Sequence, residues 1–149
     1  MVDELEIRPA REVDFGPAAR LLEESGLPRE GLREHLDDAL VASREGAIAG
    51  CVALELYGDV ALLRSLVVAP AFRGRRLGER LTAEALALAG RKGVTDVYLL
   101  TETATAFFPR FGFARRERAE APNALLRSEE FRSACPASAV LMHARLSAT

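Results

Sequence analysis

The sequence is poor in the residues that mark metal sites, disulfide scaffolds and membrane spans. Its 149 residues include two cysteines, no tryptophan and a single lysine. Cys51 and Cys135 lie far apart and lack CxxC spacing, so we expect two free thiols and no metal site. No stretch approaches the roughly 20 apolar residues of a membrane span, and the charged start MVDELEIRPA is unlike a signal peptide. These absences predict a cytoplasmic protein that does not act at a membrane.

An excess of one charge is lacking as well. The formal net charge is −2, with 28% charged residues of both signs, so there is no global basic field to attract nucleic acid. The arginine-rich stretch also has no set of aromatic platforms on which bases could stack. We therefore expect a small-molecule partner. With 49% hydrophobic residues in 149, the chain can build one sizeable core, which predicts a single domain over residues 1–149.

Hydrophobic periodicity predicts the element order β-α-α-β-β-β-α-β-α-β-β, with a further polar helix between the last two strands. The predicted strands cover residues 5–9, 40–43, 47–57, 60–69, 96–101, 113–118 and 139–146. The predicted helices are one after Asp14, one with Leu32, Leu36 and Leu40 on one face, one from Leu77 to Gly90 or Gly93, a short one at 103–111 and a polar one around 123–134. No repeat or linker interrupts this order.

The two longest predicted strands form a hairpin around the two-residue turn Gly58-Asp59. This turn predicts the cross-strand pairs Tyr57–Val60, Glu55–Leu62, Ala53–Arg64 and Cys51–Leu66. One face of the hairpin then carries Tyr57, Glu55, Cys51 and Arg64. The other face, which includes Val67, is almost entirely apolar. Polar chemistry is therefore expected on the first face alone, where Glu55 and Arg64 lie diagonal to each other.

The stretch VVAPAFRGRRLGERL, residues 67–81, leads from a strand through an arginine-rich turn into a helix. The first backbone amides of a helix have no partner within it, and the helix dipole is positive there, so such a turn can bind an anion. A diphosphate suits the site, because Gly74 and Gly78 allow close approach of the backbone. A solvated basic turn is an equally good alternative. The stretch matches neither a P-loop nor a dinucleotide-binding motif.

The segment RSLVVAPAFRGRRLGERL resembles the acetyl-CoA-binding signature of the GNAT N-acetyltransferase superfamily, and TETATAFFPRFGF resembles the other common motif of that family. The order of elements over nearly the whole chain agrees with it. This resemblance implies an α+β (mixed α/β) fold with a splayed, mostly antiparallel central sheet flanked by helices. It also implies that the backbone of Leu66, Val67 and Val68 pairs with the pantetheine of acetyl-CoA. The diphosphate would be held by Arg73, Gly74, Arg75, Arg76, Leu77 and Gly78.

The sequence departs from the family pattern at three positions. Arg76 occupies the place of the usual first glycine, and we expect it to take ordinary helical or bridge angles, because a positive φ is costly for arginine. Thr101 stands where asparagine is usual. Phe108 replaces the tyrosine that often protonates the departing CoA thiolate, so that acid is missing. A purely structural role in the core fits Phe107 better than Phe108.

A finer resemblance links the chain to arsenic-resistance N-acetyltransferases and to short amino-acid N-acetyltransferases. It is carried by GCVALELYGDVALLRSLVVAP, the later motif and the tail SEEFRSACPASAVLM. It implies a small amino-acid-like amine as the acceptor, with a link to arsenic resistance. The alternative is a CoA-binding module that has lost catalysis, which the arginine at 76 and the phenylalanine at 108 favour. Similar proteins are often dimers, so a homodimer is compatible with the sequence.

Acetyl transfer needs a base for the ammonium proton and groups that hold the acceptor. We expect Glu55 to accept the proton and Arg64 to bind a carboxylate of the acceptor, with a structural ion pair between them as an equal alternative. Thr101 and Glu102, at the end of a strand, are candidates for the rim of the pocket. Other singular side chains are expected to be structural: a solvated His35, a structural His143, a core Cys51, and Cys135 at a helix end.

Overall fold

The computed structural model describes residues 5–134 and 138–146, and these contain one sheet of seven strands. The strands are β1 (Glu6–Pro9), β2 (Ala39–Arg44), β3 (Ala47–Tyr57), β4 (Val60–Val68), β5 (Asp96–Thr101), β6 (Ala114–Arg116) and β7 (Val140–Arg145). Their order across the sheet is β1-β2-β3-β4-β5-β7-β6. Every neighbouring pair is antiparallel except β4 and β5. The predicted mixed, mostly antiparallel fold is confirmed.

Two α-helices cover the sheet in the described part of the chain, α1 (Phe15–Glu24) and α2 (Leu77–Arg91). The other three predicted helices are wrong in type or extent. The second is a short 3-10 segment, Arg33–Asp38, because Leu40 is used by β2, where it pairs with Val52. The helix predicted at 103–111 reduces to a 3-10 turn at Phe108–Phe111. The helix predicted at 123–134 divides into a 3-10 turn, Asn123–Arg127, and a π-helical turn, Glu130–Ala134.

The core lies on both faces of the sheet. On one face α2 packs through Leu77, Leu81, Ala85 and Ala89 against a cluster that includes Val52, Leu54, Leu63, Val97, Leu99 and Phe108. On the other face, a smaller cluster joins α1 and the segment before β2 to the sheet through Leu22, Leu32, Leu36, Val41, Cys51 and Val67. No helix among residues 5–134 and 138–146 is both long and apolar enough to cross a bilayer.

The β3–β4 hairpin follows the predicted register only in the half next to its turn. Tyr57, Glu55 and Ala53 pair with Val60, Leu62 and Arg64 as expected. Beyond this point Cys51 pairs with Val67, and the prediction that it pairs with Leu66 is wrong. The cause is a bulge that adds one residue to β4 at Ser65, whose φ is +61°. Because one extra residue reverses the facing of every later side chain, Val67 packs beside Cys51 on the α1 face.

Strand β4 separates from β5 soon after the two strands meet. Their parallel pairing covers Val60–Leu62 and Asp96–Tyr98. The rest of β5, up to Thr101, pairs only with β7 among the described strands. From Leu63 onward β4 has β3 on one side and an open gap on the other. The sheet is therefore splayed as predicted, and the gap lies beside the bulge.

Candidate active site

A cavity of about 340 Å³ occupies the gap between β4 and β5. Its wall includes Arg64, Ser65 and Leu66 from β4, Thr101 from the end of β5, and residues 25–28 after α1. At Leu66 and Ala104 it meets a more open groove of about 680 Å³, which runs past Val67 and Val68 to Gly78. A further hollow of about 330 Å³ continues from there along residues 72–79 at the start of α2. The strand residues predicted to bind pantetheine and the turn predicted to bind diphosphate thus share one groove.

The start of α2 has the features of an anion site. Arg76 is the N-cap residue and makes no side-chain capping hydrogen bond, so the amides of the first turn are open. At Gly78 an added Cβ would approach no atom more closely than 3.7 Å, the distance to Phe107 Cζ. Arg73 Nε donates to the carbonyl of Val68 at 3.1 Å and ties the turn to the end of β4. A phosphate group could therefore reach the backbone here.

Two expectations about this region are wrong. Arg76 has φ +62° and ψ +20°, so it adopts a left-handed conformation instead of the expected helical or bridge angles. The second concerns the phenylalanine pair. Phe108 is the core residue, 5% exposed and packed against Phe113, while Phe107 is half-buried and lines the groove beside Gly78. Phe108 nevertheless contributes to the wall of the cavity between β4 and β5.

Glu55 and Arg64 form a buried ion pair, 1% and 2% exposed. Arg64 Nη1 donates to Glu55 Oε2 at 2.7 Å, and the Tyr57 hydroxyl donates to Glu55 Oε1 at 2.6 Å. Burial would raise the pKa of Glu55, but hydrogen bonds from Tyr57, Arg64 and Ser128 outweigh it and hold its pKa below the usual range. Glu55 does not line the cavity, because its carboxylate lies behind Arg64.

Arg64 itself reaches the cavity. Its Nε donates to Ser65 Oγ at 2.9 Å, its Nη1 is taken by Glu55, and its buried Nη2 has no hydrogen-bond partner among the described residues. A buried guanidinium nitrogen without a partner is unfavourable, and a ligand anion would satisfy it. Gly31 confines the guanidinium from outside, since a Cβ at Gly31 would lie 3.0 Å from Nη1.

The structure adds one side chain that sequence reasoning missed, Glu130. It is 3% exposed, lines the same cavity, and its Oε1 lies 3.4 Å from Arg64 Nε. It begins the π-helical turn Glu130–Ala134, a geometry often found at functional sites. In the sequence it is one of two adjacent glutamates in a polar stretch, and nothing there distinguishes it from Glu129.

The remaining candidates fall outside the cavity or at its edge. Thr101 and Glu102 line it, and Thr101 Oγ1 accepts a hydrogen bond from the amide of Ala104 at 3.0 Å. His35 is not the solvated residue that we expected, because its Nε2 lies 3.7 Å from Glu55 Oε1. His143 does not line the cavity, and its Nε2 lies 2.8 Å from Asp96 Oδ1; its structural role stays a prediction.

Cys51, the cysteine among the described residues, is buried and free. Cys51 is a core residue, as predicted, and burial raises its pKa to about 12, so the thiol stays protonated at neutral pH. Cys135 lies outside the described residues. Within the described part of the chain no group of three or more histidine, cysteine, aspartate or glutamate side chains could hold a metal ion.

Comparison with known proteins agrees with this architecture. Residues 35–115 match the family described as the acetyltransferase (GNAT) domain. An uncharacterized N-acetyltransferase of Chlorobaculum tepidum is 32% identical over 131 residues, which cover 81% of this chain and 83% of that protein. An amino-acid acetyltransferase of Aeromonas salmonicida is 31% identical over 109 residues, 69% of this chain but only 25% of that protein.

Among solved structures, N-acetylglutamate synthase from Neisseria gonorrhoeae, complexed with coenzyme A and N-acetyl-glutamate, superposes with a TM-score of 0.82 at 24% identity. The match covers 99% of this chain and 36% of the synthase, and it shows a common fold. The family match spans more than half of the chain and includes strands β4 and β5 and the turn that leads into α2. The chain therefore belongs to the GNAT family and is an N-acetyltransferase with acetyl-CoA as its co-substrate.

Proposed function

We propose that the protein transfers the acetyl group of acetyl-CoA to the amine of a small amino acid. The observation that carries the proposal is the buried Nη2 of Arg64, which has no partner among the described residues and belongs to a side chain in the cavity wall. A planar guanidinium edge is suited to a carboxylate. At about 340 Å³ the cavity lies at the small end of the usual range for ligand pockets.

The groove supports the placement of acetyl-CoA. Its acetyl end would enter where the cavity and the groove meet, at Leu66 and Ala104, and its diphosphate would lie on the amides of residues 77–79. The amine of an acceptor held by Arg64 would then face the thioester from the cavity side. The relatives named amino-acid acetyltransferases support the same acceptor class, although the chain spans only a quarter to a third of their length.

Two roles remain for Glu55, and the geometry favours one of them. As a base it would need to reach the acceptor, yet it lies behind Arg64 and both of its oxygens already accept hydrogen bonds. As an anchor it holds the guanidinium of Arg64 in place through the bond to Nη1, which leaves Nη2 available to a ligand. We propose the anchor role for Glu55 and the carboxylate-binding role for Arg64. The base role stays a prediction.

An arsenic-linked acceptor is the second candidate. An amine that carries an arsenic oxyanion presents the same two groups as an amino acid, and the guanidinium of Arg64 would bind either anion. This candidate keeps the predicted link to arsenic resistance. A single domain over residues 1–149, a cytoplasmic location and a homodimer also stay predictions.

A screen for CoA release would test the proposal. The panel contains amino acids, their decarboxylated amines and amine-bearing organoarsenicals, all at neutral pH. We expect an amino acid to exceed its decarboxylated amine in kcat/KM by about tenfold or more, since one satisfied buried charge is worth at least 1.4 kcal/mol. If acetyl-CoA binds but no acceptor raises CoA release, the protein is a silent binding module. If amines without an anion react equally well, the role of Arg64 is wrong.

A further inference from the structure

The cavity holds a buried carboxylate beside its buried guanidinium. Glu130 and Arg64 line it from opposite chain segments, the π-helical turn and β4, with Glu130 Oε1 3.4 Å from Arg64 Nε. Glu130 is 3% exposed, so its charge is only weakly screened by solvent. The cavity therefore offers one group for an anion and, directly beside it, one group for a cation.

The local charges favour a ligand that carries an ammonium group. The charged side chains facing the cavity from the described elements are Arg64, Glu102 and Glu130. Behind Arg64 lies the carboxylate of Glu55, with Tyr57 and the partly exposed His35 against it. Arg127 in turn lies over the Tyr57 ring, 4.9 Å from its centroid. In the described wall of the cavity itself two carboxylates face one guanidinium, and an ammonium group beside Glu130 would add a second cation there.

We propose that Glu130 binds the ammonium group of the acceptor and takes its first proton, so that Arg64 and Glu130 together recognise the zwitterionic end of an α-amino acid. The inference rests on the proposed function and adds a catalytic residue to it. In an α-amino acid the ammonium and the carboxylate are attached to one carbon atom. Two adjacent receptors of opposite charge fit that spacing, whereas a distal amine would lie far from a carboxylate held by Arg64.

The proton balance of the reaction gives Glu130 a defined task. The ammonium loses one proton to the Glu130 carboxylate, and the neutral amine then attacks the thioester carbonyl carbon. A C–N bond forms, the C–S bond breaks, and CoA leaves as a thiolate. The nitrogen loses a second proton, which neutralises the thiolate, and Glu130 returns its proton to solvent. The products are the N-acetyl amino acid, CoA thiol and one proton.

The test compares Glu130→Gln with Glu129→Gln as a matched control, because Glu129 is the exposed residue that directly precedes the π-helical turn. Each purified full-length variant is assayed with the best amino acid found for the wild type, from pH 6 to pH 10. Glu130→Gln should lower kcat/KM at pH 7 by about 10²-fold or more. Its defect should shrink as pH rises towards the pKa of the amine, because the free amine no longer needs a base. Glu129→Gln should match the wild type at every pH.

The pH profiles distinguish a catalytic Glu130 from a structural one and from one with no role. A Glu130→Gln defect of the same size at all pH values would mean that Glu130 is structural, and wild-type rates would mean that it has no role; either result overturns the inference. Glu130→Asp should restore the wild-type shape of the pH profile at a lower rate. If the wild type itself acetylates no amino acid, the proposed function fails first.

A measurement on the wild type keeps the inference testable if Glu130→Gln does not fold. The deaminated analogue of the acceptor, a simple carboxylic acid, lacks the cation for Glu130. We expect it to bind more weakly, with an inhibition constant about tenfold or more above the dissociation constant of the amino acid. Equal binding of the two compounds would contradict a role for Glu130 in ammonium recognition.

Discussion

Strand β4 carries one arginine within it and is followed by three more, and the two sets differ in how exposed they are to solvent. Arg64 lies within β4, is 2% exposed and contacts Glu55, Ser65 and Glu130. Residues 73, 75 and 76 follow β4 as three exposed arginines around the start of α2. Around the exposed arginines, the backbone amides at the start of α2 are the groups that would bind a phosphate. Each exposed arginine adds only a charge that water screens. One buried guanidinium should therefore matter more than any of the three exposed ones.

The largest effect should come from removing the buried charge. Arg64→Met leaves Glu55 and Glu130 without their shared cation, and we expect the free energy of unfolding to fall by about 3–5 kcal/mol. Arg75→Ala should change it by less than about 0.5 kcal/mol. Urea denaturation of both variants measures the difference. Adding Glu55→Gln to Arg64→Met should recover part of the loss, and equal effects of the two single variants would contradict the contrast.

The same buried pair should govern stability in acid. The pKa of Glu55 is lower in the folded protein than its ordinary value of 4.5. Its ionised form therefore stabilises the fold above about pH 4.5, and this contribution is lost as pH falls through the folded pKa. We expect the free energy of unfolding to be steady from pH 7 to about pH 5 and to decline below.

The Glu55→Gln variant is the control for this acid limb. It should be less stable at pH 7 and should decline less steeply in acid than the wild type. Asp14, whose pKa is lowered by its hydrogen bond to Arg8, and Asp96, where burial is outweighed by hydrogen bonds from His143 and Thr95 that lower its pKa, would supply the slope that remains. Urea denaturation at a series of pH values gives both curves. Parallel curves would show that Glu55 does not set the acid limb.

In the exposed group, the amides should matter more than the arginines. Gly78→Val places two methyl groups in the groove without a clash at Cβ, so the protein should fold, while acetyl-CoA affinity should fall about tenfold or more. Arg75→Ala should lower affinity by less than about fivefold. Titration calorimetry with acetyl-CoA compares them. The reverse order would mean that side chains carry the phosphate.

The smallest effect concerns backbone strain at the turn. Arg76 holds a left-handed conformation that costs a non-glycine residue about 1–2 kcal/mol. We therefore expect the free energy of unfolding of Arg76→Gly to be about 1 kcal/mol higher than that of Arg76→Ala. This difference already allows for the larger conformational entropy that glycine loses on folding. Arg75→Gly is the matched control, since Arg75 has no positive φ, and it should not stabilise. Equal stability of the glycine and alanine variants at 76 would contradict the strain.

Features with a local sequence signal could be predicted, and features without one could not. The seven strands in their order along the chain follow from alternation, and the register next to Gly58-Asp59 follows from local turn chemistry; both were predicted. The order of the strands across the sheet was not. The bulge at Ser65 carries no local signal, because serine is unusual at a φ of +61°, and the facing of Val67 was lost with it. The conformation of Arg76 was missed for the same reason.

Predicting the site required tertiary information that no pattern carried. Glu55 and Arg64 were placed on one face correctly, but which of them reaches the cavity depends on the segment that covers them. Glu130 comes from that segment, in which two adjacent glutamates look alike in sequence. Short 3-10 and π turns such as Asn123–Arg127 and Glu130–Ala134 also lack the periodicity that identifies an α-helix.

The most direct test of the account is the selectivity ratio of the Arg64→Lys variant. The ratio is kcat/KM for an α-amino acid divided by kcat/KM for its decarboxylated amine, measured by CoA release in the wild type and the variant. Lysine keeps the positive charge but lacks the planar fork. We expect the ratio to fall by about tenfold or more in Arg64→Lys, mainly through a higher KM for the amino acid, with acetyl-CoA affinity unchanged. A ratio equal to that of the wild type would contradict the claim that Arg64 selects the acceptor.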